Sequence, residues 1–201
     1  MTRFSGKILG RIAIVGVSAL LLAACSRDGR EMKPPTADQT ETIAIATTIA
    51  ESVAPVQELS IAAPWQDGEP LNAQFTCEGS KLSPEFDIAG LPDGTVMWGV
   101  SIIDITSSDA VHWAVANVSP TITRVDTGVV PEGAVQSLNR VNKVGYAAPC
   151  PKVGEPHTYL FTVYALSQQL EVIDGVDGET MLASLEAASL DTTSISFTVT
   201  R

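Results

Sequence analysis

Four runs in the second half of the chain, TVMWGVSII (95–103), HWAVANV (112–118), YLFTVYAL (159–166) and ISFTVT (195–200), are apolar and rich in β-branched or aromatic residues. Clusters of glycine and proline such as LPDGT and VPEGA punctuate them, so each reads as a buried or half-buried strand. Only GETMLASLEAASL (178–190) carries a helical period, with Met181, Leu185 and Ala188 on one face. Parallel strands need a long crossover between them, usually a helix, and this chain has too few helices to supply them. The pattern predicts a mainly β fold, a sandwich with a few short helices, and excludes a doubly wound α/β sheet.

The N-terminus speaks to compartment. Arg3, Lys7 and Arg11 form a basic start, IAIVGVSALLLAA is a short apolar core, and small residues precede Cys25. These are the parts of a secretory signal, and the run is short for a membrane span. LAAC (22–25) resembles a bacterial lipobox. The resemblance implies cleavage before Cys25, diacylglycerol on its sulfur and acylation of the new amino group, which together give stable anchoring where one chain would be marginal. The alternative is an ordinary signal peptide whose cysteine is incidental. We therefore expect a signal peptide over 1–24 and an exported lipoprotein in the cell envelope, on the outer face of the cytoplasmic membrane or on an outer membrane.

Removal of residues 1–24 takes away Arg3, Lys7 and Arg11 and no acid, leaving 9 basic against 23 acidic residues and a net charge of −14. Such a surface argues against nucleic acid as a partner. It leaves room for a small anion where local donors outweigh the distant field. From Ser26 to about Glu58 the chain is rich in Thr, Ala, Pro and Glu and has no aromatic residue. With the anchor cysteine, 25–58 reads as a lipidated flexible tether, the alternative being a short helix around Ile43–Val53. Residues 59–201 hold all three tryptophans and all three tyrosines and read as one domain with its own core.

Only two histidines exist, His112 and His157, and each stands at the start of an expected strand. Two neighbouring strands running the same way would bring both imidazoles to one end of a sheet. Asp104, at the end of GVSIID, can reach that end, and Tyr159 shares a strand face with His157. Taken singly, each histidine is better explained as a structural ring satisfied by a backbone carbonyl; the two at corresponding positions, with an acid and a phenol in range, bring the two readings level. Besides Cys25 the chain has Cys77 and Cys150. In an exported protein two such cysteines pair, and the bridge is worth about 2–4 kcal/mol if unstrained. Two free buried thiols or a Cys/His metal site are the alternatives. No close C-x-x-C pair is present, so neither a metal nor a cofactor is expected.

The ordered set LSIAAPWQDGEPLNAQFTCEG, LSPEF, VHWAVANV and GAVQSLNRVNKVGYAAPCPKVGEPHTYLFTVYAL resembles the phosphatidylethanolamine-binding protein family, also called Raf kinase inhibitor-like, in its bacterial form, over residues 59–201. The resemblance implies a two-sheet antiparallel β fold with a pocket for phosphate, acetate or phosphorylethanolamine-like groups at one end. It implies a wall made of Asp104, His112, Pro149, His157 and Tyr159, with Ala147 and Ala148 lining the turn and a Cys77–Cys150 bridge fixing the loop. Departures are visible. DITSSDAV keeps Asp104 but is shorter than the family's acid-proline-acid-alanine-proline stretch and lacks both prolines. Thr158 stands where arginine is common, Ala148 where glycine is usual, and Lys152 where a second proline is common. The reading that follows is a lipid-anchored binding protein for a small phosphate-like anion. A protein-interaction or inhibitor domain with a vestigial pocket and an unknown protein partner is the alternative. A hydrolase using His112 or His157 as general base is the third class; no motif marks a nucleophile, GVSII lacks the residues of a nucleophile elbow, and no enzymatic activity is expected.

Overall fold

The computed structural model describes residues 58–201; the expected signal peptide, Cys25 and the tether as far as residue 57 lie outside the described residues. Eight strands and one α-helix follow one another: β1 Ser60–Ala62, β2 Phe86–Ala89, β3 Met97–Asp104, β4 Ala110–Val118, β5 Arg124–Val125, β6 Val135–Gln136, β7 His157–Leu166, α1 Gly178–Ala188 and β8 Ser189–Val199. They form a three-stranded sheet in the order β1-β2-β5 and a five-stranded sheet in the order β6-β4-β3-β7-β8, antiparallel at every strand pair. This is the mainly β, two-sheet architecture expected. Among the described residues no helix is long and apolar enough to cross a membrane.

The period-2 pattern of β3 and β7 sorts their side chains onto two faces. Trp98, Val100 and Ile102, with Tyr159, Phe161, Val163 and Ala165, join the core that also holds Phe86 and Ile88 of the small sheet. The opposite face, with Ala114, Ala116 and Tyr164, is covered by Met181, Leu185 and Ala188 of α1. These are the three residues that share the helix face in the sequence pattern. Asp177 caps the helix by accepting from the Glu179 and Thr180 amides. Gly99 is what lets α1 approach, since a Cβ there would lie 2.5 Å from Leu185 Cδ2 and 2.6 Å from the Val115 carbonyl oxygen.

One expected boundary moves. The last strand was expected over 195–200, but it begins at Ser189, directly where α1 ends. Its first half, SLDTTS, is mostly exposed at the sheet edge and so has no apolar alternation to betray it. The strand is specified there by its ladder with Thr162–Leu166.

Candidate functional site

β3 is antiparallel to both β4 and β7, so β4 and β7 run the same way and their first residues flank the last residue of β3. Both histidines thus come to one end of the sheet, with β3 between their strands, and that inserts Asp104 at the centre of the arrangement. Asp104 pairs with Ala110 on one side and with Tyr159 on the other.

The ladder between β3 and β4 skips a residue at this end. Ile103 pairs with Val111 and Ile102 with Trp113, leaving His112 as the extra residue of a β-bulge. A bulge turns a side chain out of strict alternation. Val111 and Ala114 belong to the helix-facing core and Trp113 to the inter-sheet core, and His112 meets Tyr159 of that same inter-sheet core edge to face, with centroids 5.1 Å apart.

Each imidazole is anchored through Nδ1. His112 Nδ1 lies 2.6 Å from the Ala147 carbonyl oxygen, and the Ala147 amide donates back to the His112 carbonyl at 2.8 Å. A carbonyl can only accept, so His112 carries its proton on Nδ1 and turns Nε2 away. That Nε2 is buried and without a hydrogen-bond partner; the residue is 1% exposed. His157 Nδ1 donates to Asp104 Oδ2 at 2.7 Å, which leaves its Nε2 as the nitrogen not committed to Asp104. The His157 side chain is 18% exposed and that of Asp104 2%. The second carboxylate oxygen of Asp104 accepts from the Thr106 amide at 3.0 Å and the Ser107 amide at 3.1 Å. The shortened DITSSDAV segment thus closes a tight turn on Asp104 itself, without the family's prolines. Tyr159 is the common neighbour of both rings, with His157 stacked beside it at 6.3 Å and Phe197 stacked at 5.1 Å.

The loop GYAAPCP is fixed from several sides. The Cys77–Cys150 disulfide is formed, with Cα atoms 5.3 Å apart, and the Cys77 amide donates to the Pro149 carbonyl. Tyr146 donates its hydroxyl to the Phe75 carbonyl at 2.8 Å and sets its ring against Trp113. The residues thus play different parts. Ala147 holds His112 through its backbone, Pro149 is buried with its carbonyl committed to Cys77, and Ala148 is half-buried between them.

Electrostatics follow from burial. Desolvation holds the His112 imidazole below the ordinary histidine value; its hydrogen bond to Ala147 opposes this, and the positive charge of Arg140 adds to it. Burial, followed by the Asp104 carboxylate nearby, pushes the Tyr159 phenol up, so it stays a neutral donor. Tyr146 is pushed up as well, by burial first and then by Tyr159. Among the described residues no three His, Cys, Asp or Glu side chains group as a metal site would require.

A cavity of about 570 Å³ opens beside His157, lined among others by Thr106, Ser107, Arg140, Lys152 and Glu155. Arg140 is the member the sequence did not point to. It sits in a loop without strand or helix period, 28 positions from His112 and 17 from His157 along the chain, and only the fold brings its charge to the rings.

The sequence model described as Phosphatidylethanolamine-binding protein matches residues 62–200. With the two-sheet fold and the histidine end in place, the chain belongs to that family. Among solved structures it is similar to Escherichia coli YbcL, described as a new member of the mammalian PEBP family, with a TM-score of 0.66 and 28% identity, covering 72% of this chain and 99% of that one. In sequence it is 36% identical to the UPF0098 protein YbcL of E. coli over 111 residues, which is 50% of this chain and 61% of that protein. It is 30% identical over 186 residues to LppC of Mycobacterium tuberculosis, a protein named as a candidate lipoprotein, across 89% of this chain and 90% of that one.

Proposed function

We propose that this protein binds a small phosphate-type anion at the Asp104, His112, His157 and Tyr159 cluster, with the 147–149 backbone as one wall, and that it does so outside the cytoplasm, tethered through an acylated Cys25 and the 25–58 segment to a domain over 59–201. The observation that carries the reading is the buried, unpartnered Nε2 of His112. A buried polar atom left unpaired costs about 1–3 kcal/mol, and a ligand that fills its valence recovers that cost. With His112 neutral, this nitrogen is an acceptor, and the Nε2 of His157, whose Nδ1 is held by Asp104, is a second nitrogen for the ligand. A phosphate that retains one proton matches this set: its P–O–H donates to an imidazole and its remaining oxygens accept from Tyr159 or from a protonated ring.

Binding is favoured over hydrolysis because, among the described residues, neither imidazole is hydrogen-bonded to a serine hydroxyl or a cysteine sulfur. It is favoured over a vestigial pocket because both oxygens of Asp104 remain engaged despite the shortened 104–111 segment. The family match and the name of LppC agree with a binding protein on a lipid anchor.

The test is an imidazole-region NMR titration with inorganic phosphate. With two histidines in the chain, both sets of ring signals are expected to move along one saturable curve; rings that stay still across the titration refute the reading. Metabolic labelling with palmitate checks the anchor. The label is expected in the full chain and not after Cys25→Ser, and a chain that carries none rejects the lipoprotein assignment.

A further inference from the structure

The cavity beside His157 has an excess of positive charge that a single phosphate site does not need. Two cations, Arg140 and Lys152, line it together with His157, and Glu155 is its one carboxylate. Glu155 already pairs with Lys152 at 3.7 Å. Asp104, another acid at this end, already has both oxygens engaged, by His157 and by the Thr106 and Ser107 amides. Arg140 differs from both: among the described residues its guanidinium has no carboxylate at ion-pair distance.

The position of Arg140 is set by a braced backbone. Its amide donates to the Val111 carbonyl at 2.7 Å, next to the bulge at His112. The preceding Asn139 is buried; its side-chain oxygen accepts from the Val141 and Lys143 amides and its amide group donates to the Gly145 carbonyl. The other side of Arg140 borders a second cavity, of about 310 Å³, lined by Asp109, Asp177 and Glu179. Those acids repel an anion from that side. An anionic group near Arg140 is therefore directed to the side it shares with His157.

We infer that Arg140 is a specificity-determining residue that reads a second acidic group on the ligand, so that the site selects a phosphoester carrying a carboxylate over one carrying an ammonium group alone. The inference rests on the phosphate reading given above. A ligand ammonium finds no free carboxylate in this cavity, whereas a ligand carboxylate finds an unpaired guanidinium whose planar fork suits it. The ligand chemistry is that of a phosphoserine, as a soluble phosphomonoester that can retain the donating proton or as a membrane headgroup, whose phosphodiester has no such proton and is met by a protonated imidazole instead.

O-phospho-L-serine and O-phosphorylethanolamine differ by that one carboxylate and make the test. Calorimetric titration of the full chain is expected to show O-phospho-L-serine binding about tenfold tighter. In Arg140→Gln the ratio of the two affinities is expected to fall to about one, and in Arg140→Lys, which keeps the charge but loses the fork, to an intermediate value. If Arg140→Gln does not fold, the Arg140→Lys ratio alone decides. Equal binding of the two ligands by the wild type, or a preference that survives either substitution unchanged, overturns the inference. Inorganic phosphate separates the two levels: if phosphate binds while the preference is missing, this inference alone fails; if phosphate does not bind, the site reading fails and this falls with it. Sedimentation with phosphatidylcholine vesicles containing phosphatidylserine or phosphatidylethanolamine identifies the source, because any lipid anchor contributes equally to wild type and variant. Extra recruitment by phosphatidylserine that Arg140→Gln loses supports the headgroup, and selective binding of the free phosphoester alone supports a soluble ligand.

Discussion

The two faces of the large sheet are built from different materials, and they treat their polar atoms differently. The helix-facing side is small and aliphatic: Ala114 and Ala116 lie under Met181 and Leu185, and Gly99 admits the helix. Its buried polar groups close on one another. Ser101 and Tyr164 share a hydroxyl hydrogen bond at 3.0 Å, and the Asn117 side chain satisfies both the amide and the carbonyl of Leu170. The side facing the small sheet is aromatic, with Phe86 packed edge to face on Trp98, Trp113 and Phe161. At its end the array continues into Tyr159 and the two imidazoles. Histidine can extend an aromatic array without breaking its packing, since its ring keeps the edge-to-face and stacked geometries that such pairs prefer. It also brings nitrogen, and here one nitrogen is left without a partner. One face is closed chemistry and the other ends in an open valence, which is where a ligand is to be sought.

The sharpest way to break this division is to damage the closed face and watch the open one. Leu185→Ala removes a fully buried side chain that rests against the Gly99 backbone. The expected loss is about 3 kcal/mol of unfolding free energy, read from denaturant melts. The phosphate-induced movement of the histidine signals should persist, because Leu185 belongs to the helix-facing core and Tyr159, the neighbour of both rings, to the core on the other side of the sheet. If the substitution abolished phosphate binding in a protein that remains folded, the two faces would be one coupled unit and the comparison would be wrong.

What the sequence revealed of these faces depends on which residues carry a local signal. β3 was legible as an apolar, β-branched run bounded by glycine and proline, and β7 and α1 because their large apolar residues recur at the period of the element that buries them. β1, β2, β5 and β6 run for two to four residues, too few for any period to register. The first half of β8 was hidden for another reason: as an edge strand it is mostly exposed, with Leu190 its one large apolar residue, and only its partner specifies it. At the site, Asp104, His112, His157 and Tyr159 could be singled out because they are polar or rare types placed at strand ends. The bulge that aims His112 was not legible, since it lies in the pairing of two strands and not in either alone. Arg140 was hidden too: in a loop with no period, its unpaired charge acquires meaning only when Val111, His157 and Lys152 are placed around it.

A smaller effect tests the open end directly. His112 is held neutral chiefly by burial, so its value in the folded chain lies below that of the unfolded chain, which is about 6.5. Between those two values the unfolded chain binds more protons, and stability must rise with pH. His112 therefore contributes fully above about pH 6.5, and its contribution is lost as pH falls from there toward the folded value, with a limiting slope of about 1.4 kcal/mol per pH unit. Denaturant melts of wild type and His112→Gln, each run from neutral pH downward, separate this slope from the titration of the carboxylates, which both proteins share. The wild-type curve is expected to fall more steeply below about pH 6.5, and added phosphate should flatten it, since an anion beside the ring favours the imidazolium that acid produces. Parallel curves would mean that the ring is already solvated or already charged in the free protein. The aromatic face would then end in a surface like any other, and no longer in an unfilled site.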